Sequence, residues 1–466
     1  MIKKNTLLIT GLSLCASGLT QAQSPPNMVM VIADDWGFPH AGAYGDKVVK
    51  TPAFDYVASR GVLFTNAFCA APTSSASRAA ILTGCYPHSL NELANLYSRF
   101  PADLQTYVDL LEANGYVVGL ESKGWGPGDF TFYGRNRNPA GWLHSDLALF
   151  MDSVPASKPI CFWVGSTLPH RPYKEGIGAA NGIDPASVTV SPNLPDTETV
   201  RGDMADYYYY TQLFDARCRE ILNALERNGR LDNTLFVITS DNGYAFPRAK
   251  ANLYDEGVRI PLAMMWPATF KKPSTYDGFV NLIDLAPTFL AAAGIKPDNP
   301  MHGRSLIPVL QGVEKQGKRP SVFIERERHA NARAGNVSYP SRALRTADFL
   351  YIRNYRPNRW PAGDPDYNSS QGFYSDCDRG PSKQFMLDNR AAYPQMFDLA
   401  FGFRPAEELY DLSKDPYQKT NVATDPAYAR QRSKMSKEMD QWMRSTGDPR
   451  VDSTTDIFDT YPYAGN

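Results

Sequence analysis

Net charge, clustered cysteines and repeats are all lacking in this chain. Its 466 residues include 48 basic and 49 acidic ones, a formal net charge of −1. No global field therefore points to nucleic acid or to an anionic membrane, and an anionic ligand would have to be met by locally placed cations. Cysteine and histidine number six each. Beyond Cys15, the cysteines Cys69, Cys85, Cys161, Cys218 and Cys377 are scattered, without metal-ligand spacing or a disulfide framework. At most two bridges could form among those five, with one thiol left over. Internal repeats and low-complexity tracts are absent.

What is present begins with an export signal. Lys3 and Lys4 precede the apolar stretch "TLLITGLSLCASGL", small residues close it at "TQA", and cleavage is expected after Ala22. The run is too short for a membrane span, and no transmembrane segment is expected. Leu14 is a poor match to the small residue that lipid attachment at Cys15 needs. The mature chain is thus expected to be periplasmic or secreted. Its length predicts two domains. The 26 tyrosines and 23 phenylalanines suit a carbohydrate-facing surface and a large core equally.

Hydrophobic periodicity alternates between strand and helix. "MVMVIA", "YVVGL", "PICFWVG", "TLFVITS" and "VRIPLAMMW" read as strands. Helices are predicted from near Ser75, over "TYVDLLEA", over 203–228 and over "LIDLAPTFLAAA". This pattern predicts an α/β fold, a large, mostly parallel or mixed sheet between helical layers. After about residue 317 the texture changes. "SVFIERERH", "SRALRTADFLYIRNY" and "EELYDLSKDP" read as a smaller antiparallel sheet, and "AYARQRSKMSKEMDQWMRS" as a closing helix. The expected division is a signal over 1–22, a catalytic domain over 23–317 and a C-terminal α+β subdomain over 318–466.

Polar loops follow the strands, where ligands bind in open α/β sheets. Asp34 and Asp35, Lys123, His170, and Asp241 with Asn242 each sit in such a loop, and Lys250 lies further along the last of them. The aspartates and the asparagine offer only oxygen donors, a set that favours Ca²⁺ or Mg²⁺ over zinc. "APTSSASRAAILTG" places Ser74, Ser75, Ser77 and Arg78 at the start of a helix, where serines act as caps or where the N–H groups meet an anion. A divalent cation, a hydroxyl and several cations around one point describe sulfuryl or phosphoryl transfer.

Ser74-Ser75-Ala76-Ser77-Arg78, followed by Leu82-Thr83-Gly84, resembles the signature of type I sulfatases in the alkaline phosphatase superfamily. That signature reads Cys or Ser, any residue, Pro or Ala, any residue, Arg, with a Leu-Thr-Gly tail. The resemblance spans nearly the whole mature chain. "VIADDWG" and "TSDNG" look like the metal loops, and "LYDLSKDPYQKTNVA" like the C-terminal signature. "TSDNGYAFPRAKANLY" brings it nearest the sulfamidase-like (heparan N-sulfatase) branch. The resemblance implies an alkaline phosphatase-like fold and oxidation of Ser74 to formylglycine, whose hydrate attacks sulfur. It also implies a cation, Ca²⁺ before Mg²⁺, on Asp34, Asp35, Asp241, Asn242 and residue 74. Arg78 would hold the charges of the nucleophile and metal site, Lys123 and Lys250 the sulfate oxygens, and His170 the sulfate and leaving group. Its implied partners are a sulfated saccharide and a serine-type maturation enzyme acting before export.

Two positions depart from that pattern. Trp125 stands where the family has a histidine after Gly-Lys, and Thr167 where it has the first histidine of His-x-Pro-His. His88 and His329 are the candidates to replace the missing base. His88, Arg326, Arg328 and His329 are expected at the substrate's sugar, whereas His40, His144 and His302 read as structural. A phosphate or phosphonate ester hydrolase, or a non-catalytic glycan-binding relative, is the alternative.

Overall fold

The computed structural model describes residues 24–465, apart from 271, 315–317 and 370. The expected signal at 1–22, with Cys15, and the expected domain boundary at 317 lie outside the described residues. Eight strands form the main sheet: β1 (Asn27–Ala33), β2 (Val62–Phe64), β3 (Val117–Ser122), β4 (Trp142–His144), β5 (Ile160–Gly165), β6 (Thr234–Ser240), β7 (Leu262–Met265) and β8 (Ser274–Tyr276). Their spatial order is β8-β2-β7-β6-β1-β5-β3-β4. The central run β6-β1-β5-β3-β4 is parallel, and β7 runs antiparallel between β6 and β2.

Alternation along β1 explains why both faces are buried. Met28, Met30 and Ile32 enter one core with Leu235, Val237 and Trp163, while Val29, Val31 and Ala33 enter the other with Phe236, Ile238 and Phe162. A strand covered on both sides must be apolar at every position, and β1 is buried throughout. Helices α1 (Pro52–Arg60) and α4 (Glu198–Arg227) cover the second face. On the first lie α2 (Ser74–Thr83), α3 (Tyr107–Ala113) and α5 (Leu285–Ala292). The helix expected over 203–228 starts five residues earlier, because Thr197 caps it by accepting from Val200 N–H.

Strands β9 (Ser321–Arg326), β10 (Ser341–Thr346), β11 (Phe349–Asn354) and β12 (Glu407–Asp411) form an antiparallel sheet in chain order. Helix α6 (Pro381–Asp388) lies in the β11–β12 connection, and α7 (Ala429–Ser445) closes the sheet, its Trp442 stacked on Phe323 at 4.7 Å. Glu325 N–H donates to the Ala70 carbonyl at 2.9 Å. That bond lays β9 beside the segment entering α2, and so carries His329 to Thr73. The five cysteines Cys69, Cys85, Cys161, Cys218 and Cys377 are free. Among the described residues, no helix is long and apolar enough to cross a membrane.

Phe236 is fully buried in this double-sided core, whereas Leu143 on edge strand β4 is 72% exposed. Phe236→Ala is expected to lower the unfolding free energy by about 3–5 kcal/mol in denaturant titration, and Leu143→Ala by less than about 0.5 kcal/mol.

Candidate active site

Four neighbouring parallel strands, β6, β1, β5 and β3, end in the loops that carry the polar residues expected from the sequence. Consecutive side chains of an extended strand point to opposite faces. Asp34 and Asp35 avoid this because Asp35 adopts a left-handed φ of 72°, a conformation aspartate tolerates better than most residues. As a result carboxylate oxygens of Asp34, Asp35 and Asp241 lie within 4.8 Å of one another, all buried.

Helix α2 points its N-terminus at this cluster. Its cap residue is Thr73, and no side chain caps the backbone there. Capping therefore does not account for the serines. All ten residues of the helix are buried, so each polar side chain needs an internal partner. Ser74 Oγ donates to Asp34 Oδ1 at 3.1 Å, Ser77 Oγ to the Asp241 carbonyl at 2.6 Å, and Ser75 Oγ to the Pro127 carbonyl. Arg78 donates through Nε to Asp241 Oδ2 at 2.8 Å and through Nη1 to the carbonyls of Lys123 and Gly124. Its Nη2 stands 3.7 Å from Asp34 Oδ1.

Lys123 Nζ donates to Asp34 Oδ2 at 2.6 Å, and Lys250 Nζ to Asp35 Oδ2 at 2.7 Å and Asp378 Oδ2 at 3.1 Å. His170 Nδ1 lies 2.5 Å from the Arg171 carbonyl, which can only accept, so Nδ1 carries a proton. Its Nε2 is 3.7 Å from Asp35 Oδ2. Burial pushes the Asp34 pKa up, but Lys123, His170, Arg78 and Lys250 outweigh it and hold that carboxyl well below the usual range. Asp241 moves the other way. Burial raises it, Arg78 only partly offsets this, and Asp34 and Asp35 add repulsion. Burial opposes the Lys250 charge, yet Asp35 and Asp378 raise its pKa above the ordinary lysine value.

A hard divalent cation fits this donor set. Asn242 Oδ1 is buried without a partner while its Nδ2 lies 2.7 Å from Asp35 and 3.0 Å from Asp241. Interchanging the amide's oxygen and nitrogen would put a fourth oxygen donor among the carboxylates.

The cluster opens into a cavity of about 430 Å³, whose walls include Ser74, Lys123, His170, Lys250 and His329. His329 Nδ1 is 2.7 Å from Thr73 Oγ1, and burial lowers its pKa to about 4. The other expected sugar contacts are corrected by the structure. His88 is buried with Nδ1 paired to Glu325 and Nε2 3.0 Å from Thr446 Oγ1, which leaves neither nitrogen for a ligand. Arg326 gives Nη2 to Asp376 and the Pro361 carbonyl, and Arg328 gives its two Nη groups to the carbonyls of Tyr461 and Pro462. Both guanidiniums are buried and stay out of the cavity wall. Arg326 acts at one remove, since Asp376 also accepts from Ala330 N–H and so orients the His329 loop. Trp125 fills its position as packing, donating to the Ser75 carbonyl at 3.0 Å and meeting Phe100 edge-on. Asp378 went unrecognised in the sequence. It comes from an irregular loop and meets Lys250 across 128 residues, and no local spacing marks such a pair.

A family model described as Sulfatase matches residues 26–295, more than half of the chain. The chain belongs to the sulfatase family. A second model, described as N-sulphoglucosamine sulphohydrolase, C-terminal, matches residues 247–366 of this sulfatase. The sulfatase is 29% identical over 489 residues to the N-sulphoglucosamine sulphohydrolase of Homo sapiens, covering 93% of each chain. It is 28% identical over 437 residues to an ulvan-active sulfatase of Formosa agariphila, covering 91% of this chain and 81% of that one. A protein solved with its substrate D-glucosamine-2-N,6-O-disulfate superposes with a TM-score of 0.67 at 20% identity, over 93% of this chain and all of the other. A phosphonate monoester hydrolase of Agrobacterium radiobacter also gives 0.67, at 18% identity, over 90% and 96%. These two structures establish the shared fold of the sulfatase.

Because Arg78 and Asp241 are both fully buried, Arg78→Met would strand the carboxylate of its partner. Unfolding measurements are expected to show a loss of about 3–5 kcal/mol, the cost of breaking a buried pair from one side.

Proposed function

We propose that this sulfatase releases inorganic sulfate from a sulfated saccharide, as an O-sulfate ester or an N-sulfate, with residue 74 as nucleophile after oxidation of Ser74 to formylglycine. The observation that carries this reading is the position of Ser74. Its hydroxyl meets the carboxylate cluster at Asp34 and also borders a cavity walled by two lysines and two histidines. The relatives' substrates, glucosamine sulfates and ulvan, support a saccharide as the class.

Asp34, Asp35, Asp241, Asn242 and residue 74 would hold the cation. Three carboxylates and an amide suit Ca²⁺, whereas Mg²⁺ keeps most of its waters and uses fewer carboxylates. When present, the cation would lower the pKa of a bound hydroxyl, and the hydrated aldehyde would offer two hydroxyls on one carbon, so that sulfate is not left as a stable serine ester. The remaining work falls to this chain's own side chains. Arg78 ties Asp241 to the Lys123 loop and so fixes the distance between α2 and two strand ends. Each lysine ammonium has three donors. Lys123 spends one on Asp34 and Lys250 two on Asp35 and Asp378, which leaves N–H groups for sulfate oxygens. His170, with Nδ1 fixed on a carbonyl, would pass a proton from Nε2 to the leaving oxygen in its imidazolium form and be left as the neutral Nδ1–H tautomer. His329 is neutral near pH 7 and takes the place of the histidine that Trp125 replaces. The antiparallel sheet beginning at Ser321 supports a catalytic domain over 23–317 and a C-terminal subdomain over 318–466. A maturation enzyme would act before export through a signal over 1–22, and the working site would then be periplasmic or extracellular.

The test is protein made with and without a serine-type maturation enzyme. Mass spectrometry is expected to find formylglycine at position 74 only in the first preparation, and sulfate release from saccharides only there. Full turnover by protein carrying unmodified Ser74 would overturn the assignment.

A further inference from the structure

A second cavity, of about 720 Å³, shares Gln371 with the first. Three basic residues line it, Arg379, Lys383 and Arg390, against one acid, Asp388, which already accepts from Gln384 Nε2 at 2.8 Å. Lys383, on α6, is only 5% exposed. Its ammonium donates to the carbonyls of Cys377 at 2.7 Å and Gln371 at 3.1 Å. Among the described residues no carboxylate forms an ion pair with it. Lys250 next door differs, since Asp35 and Asp378 both neutralise it. Carbonyl dipoles solvate a buried ammonium without cancelling its charge, and Asp376 and Asp378, which favour that charge, form their ion pairs with other cations. Burial accordingly pushes the Lys383 pKa below the ordinary lysine value. Arg379 and Arg390 are exposed, and neither is ion-paired among the described residues. The exposed ring of Phe373 stands on the same wall, an apolar face of the kind that packs against a sugar ring.

We propose that this second cavity is a subsite for an anionic sugar, binding the carboxylate or sulfate of the unit next to the one whose sulfate enters the first cavity. The proposal rests on the sulfated-saccharide reading above. The two cations nearest α6 would supply charge-assisted hydrogen bonds to the anion, Lys383 from within and Arg379 from the rim. Gln371 lines both cavities, so the second lies next to the first, where the neighbouring sugar of a bound chain would fall.

Full-length protein carrying unmodified Ser74 can be titrated calorimetrically with two probes, a heparan sulfate tetrasaccharide and an ulvan tetrasaccharide. At least one is expected to bind. Lys383→Met is expected to weaken that binding about tenfold or more, and Arg379→Ala about threefold or more. Matured enzyme carrying either substitution should hydrolyse 4-nitrophenyl sulfate, which is too small to reach the second cavity, at the unsubstituted rate. Arg379 is on the surface, so its variant folds even if Lys383→Met does not. Repeating the titration with carboxyl-reduced tetrasaccharides assigns the anion: lost affinity names the carboxylate, retained affinity the sulfate. Undiminished binding by the variants, or no binding of either probe to the unsubstituted protein, would overturn the subsite. Failure of the matured enzyme on 4-nitrophenyl sulfate and on saccharides alike would instead overturn the sulfatase chemistry, and the binding losses would stand apart from it.

Discussion

Asp34, Asp35 and Asp241 are held within 4.8 Å of one another and are all buried, where like charges repel strongly. The surrounding architecture answers that repulsion. Strands β1 and β6 lie side by side, so their carboxyl ends deliver the three carboxylates to one point. Arg78 reaches it from α2, Lys123 from the end of β3 and Lys250 from the loop beyond β6. Ser74 is buried there because the helix that carries Arg78 must also be buried. The opposed shifts of Asp34 and Asp241 record the same competition: Asp34 has the larger share of the cations, and Asp241 is left with its acidic neighbours.

Charge balance then links the cation to the substrate. With Asp378 counted and His170 neutral, four carboxylates face Arg78, Lys123 and Lys250 around this centre, an excess of one negative charge. A sulfate ester is itself an anion and would be repelled. One divalent cation among the carboxylates would reverse the sign and free lysine N–H groups to replace the water that sulfate loses on entry. The near-zero charge of the whole chain hides this local arrangement, in which cations and carboxylates alternate over a few ångströms.

Much of this was legible in the sequence for a physical reason. Doubly buried parallel strands must be apolar throughout, so β1, β5 and β6 stand out as runs, and polar residues that end such runs mark the sheet edge. Ser74 and Arg78 are four residues apart on one helix, a spacing that sequence preserves. What was not legible depends on long-range contact. Arg326 and Arg328 lie on an extended segment whose charges look solvated, yet Asp376 and the carbonyls of 461–462 bury them. His88 was withdrawn from the cavity by Glu325, 237 residues away, and Asp378 was brought into it from a loop without periodicity. His329 was legible as a candidate, and the pairings of Glu325 with Ala70 and of Ala330 with Asp376 place it.

The central claim is that the cation converts a site repelling anions into one that binds them. Calorimetric titration of inorganic sulfate into the Ser74 protein, chelator-treated and then restored with Ca²⁺, tests it without any turnover. The account predicts measurable sulfate binding only after Ca²⁺ is restored, abolished again by Asp241→Ala. Equal sulfate affinity in the chelated and Ca²⁺-restored protein would contradict it.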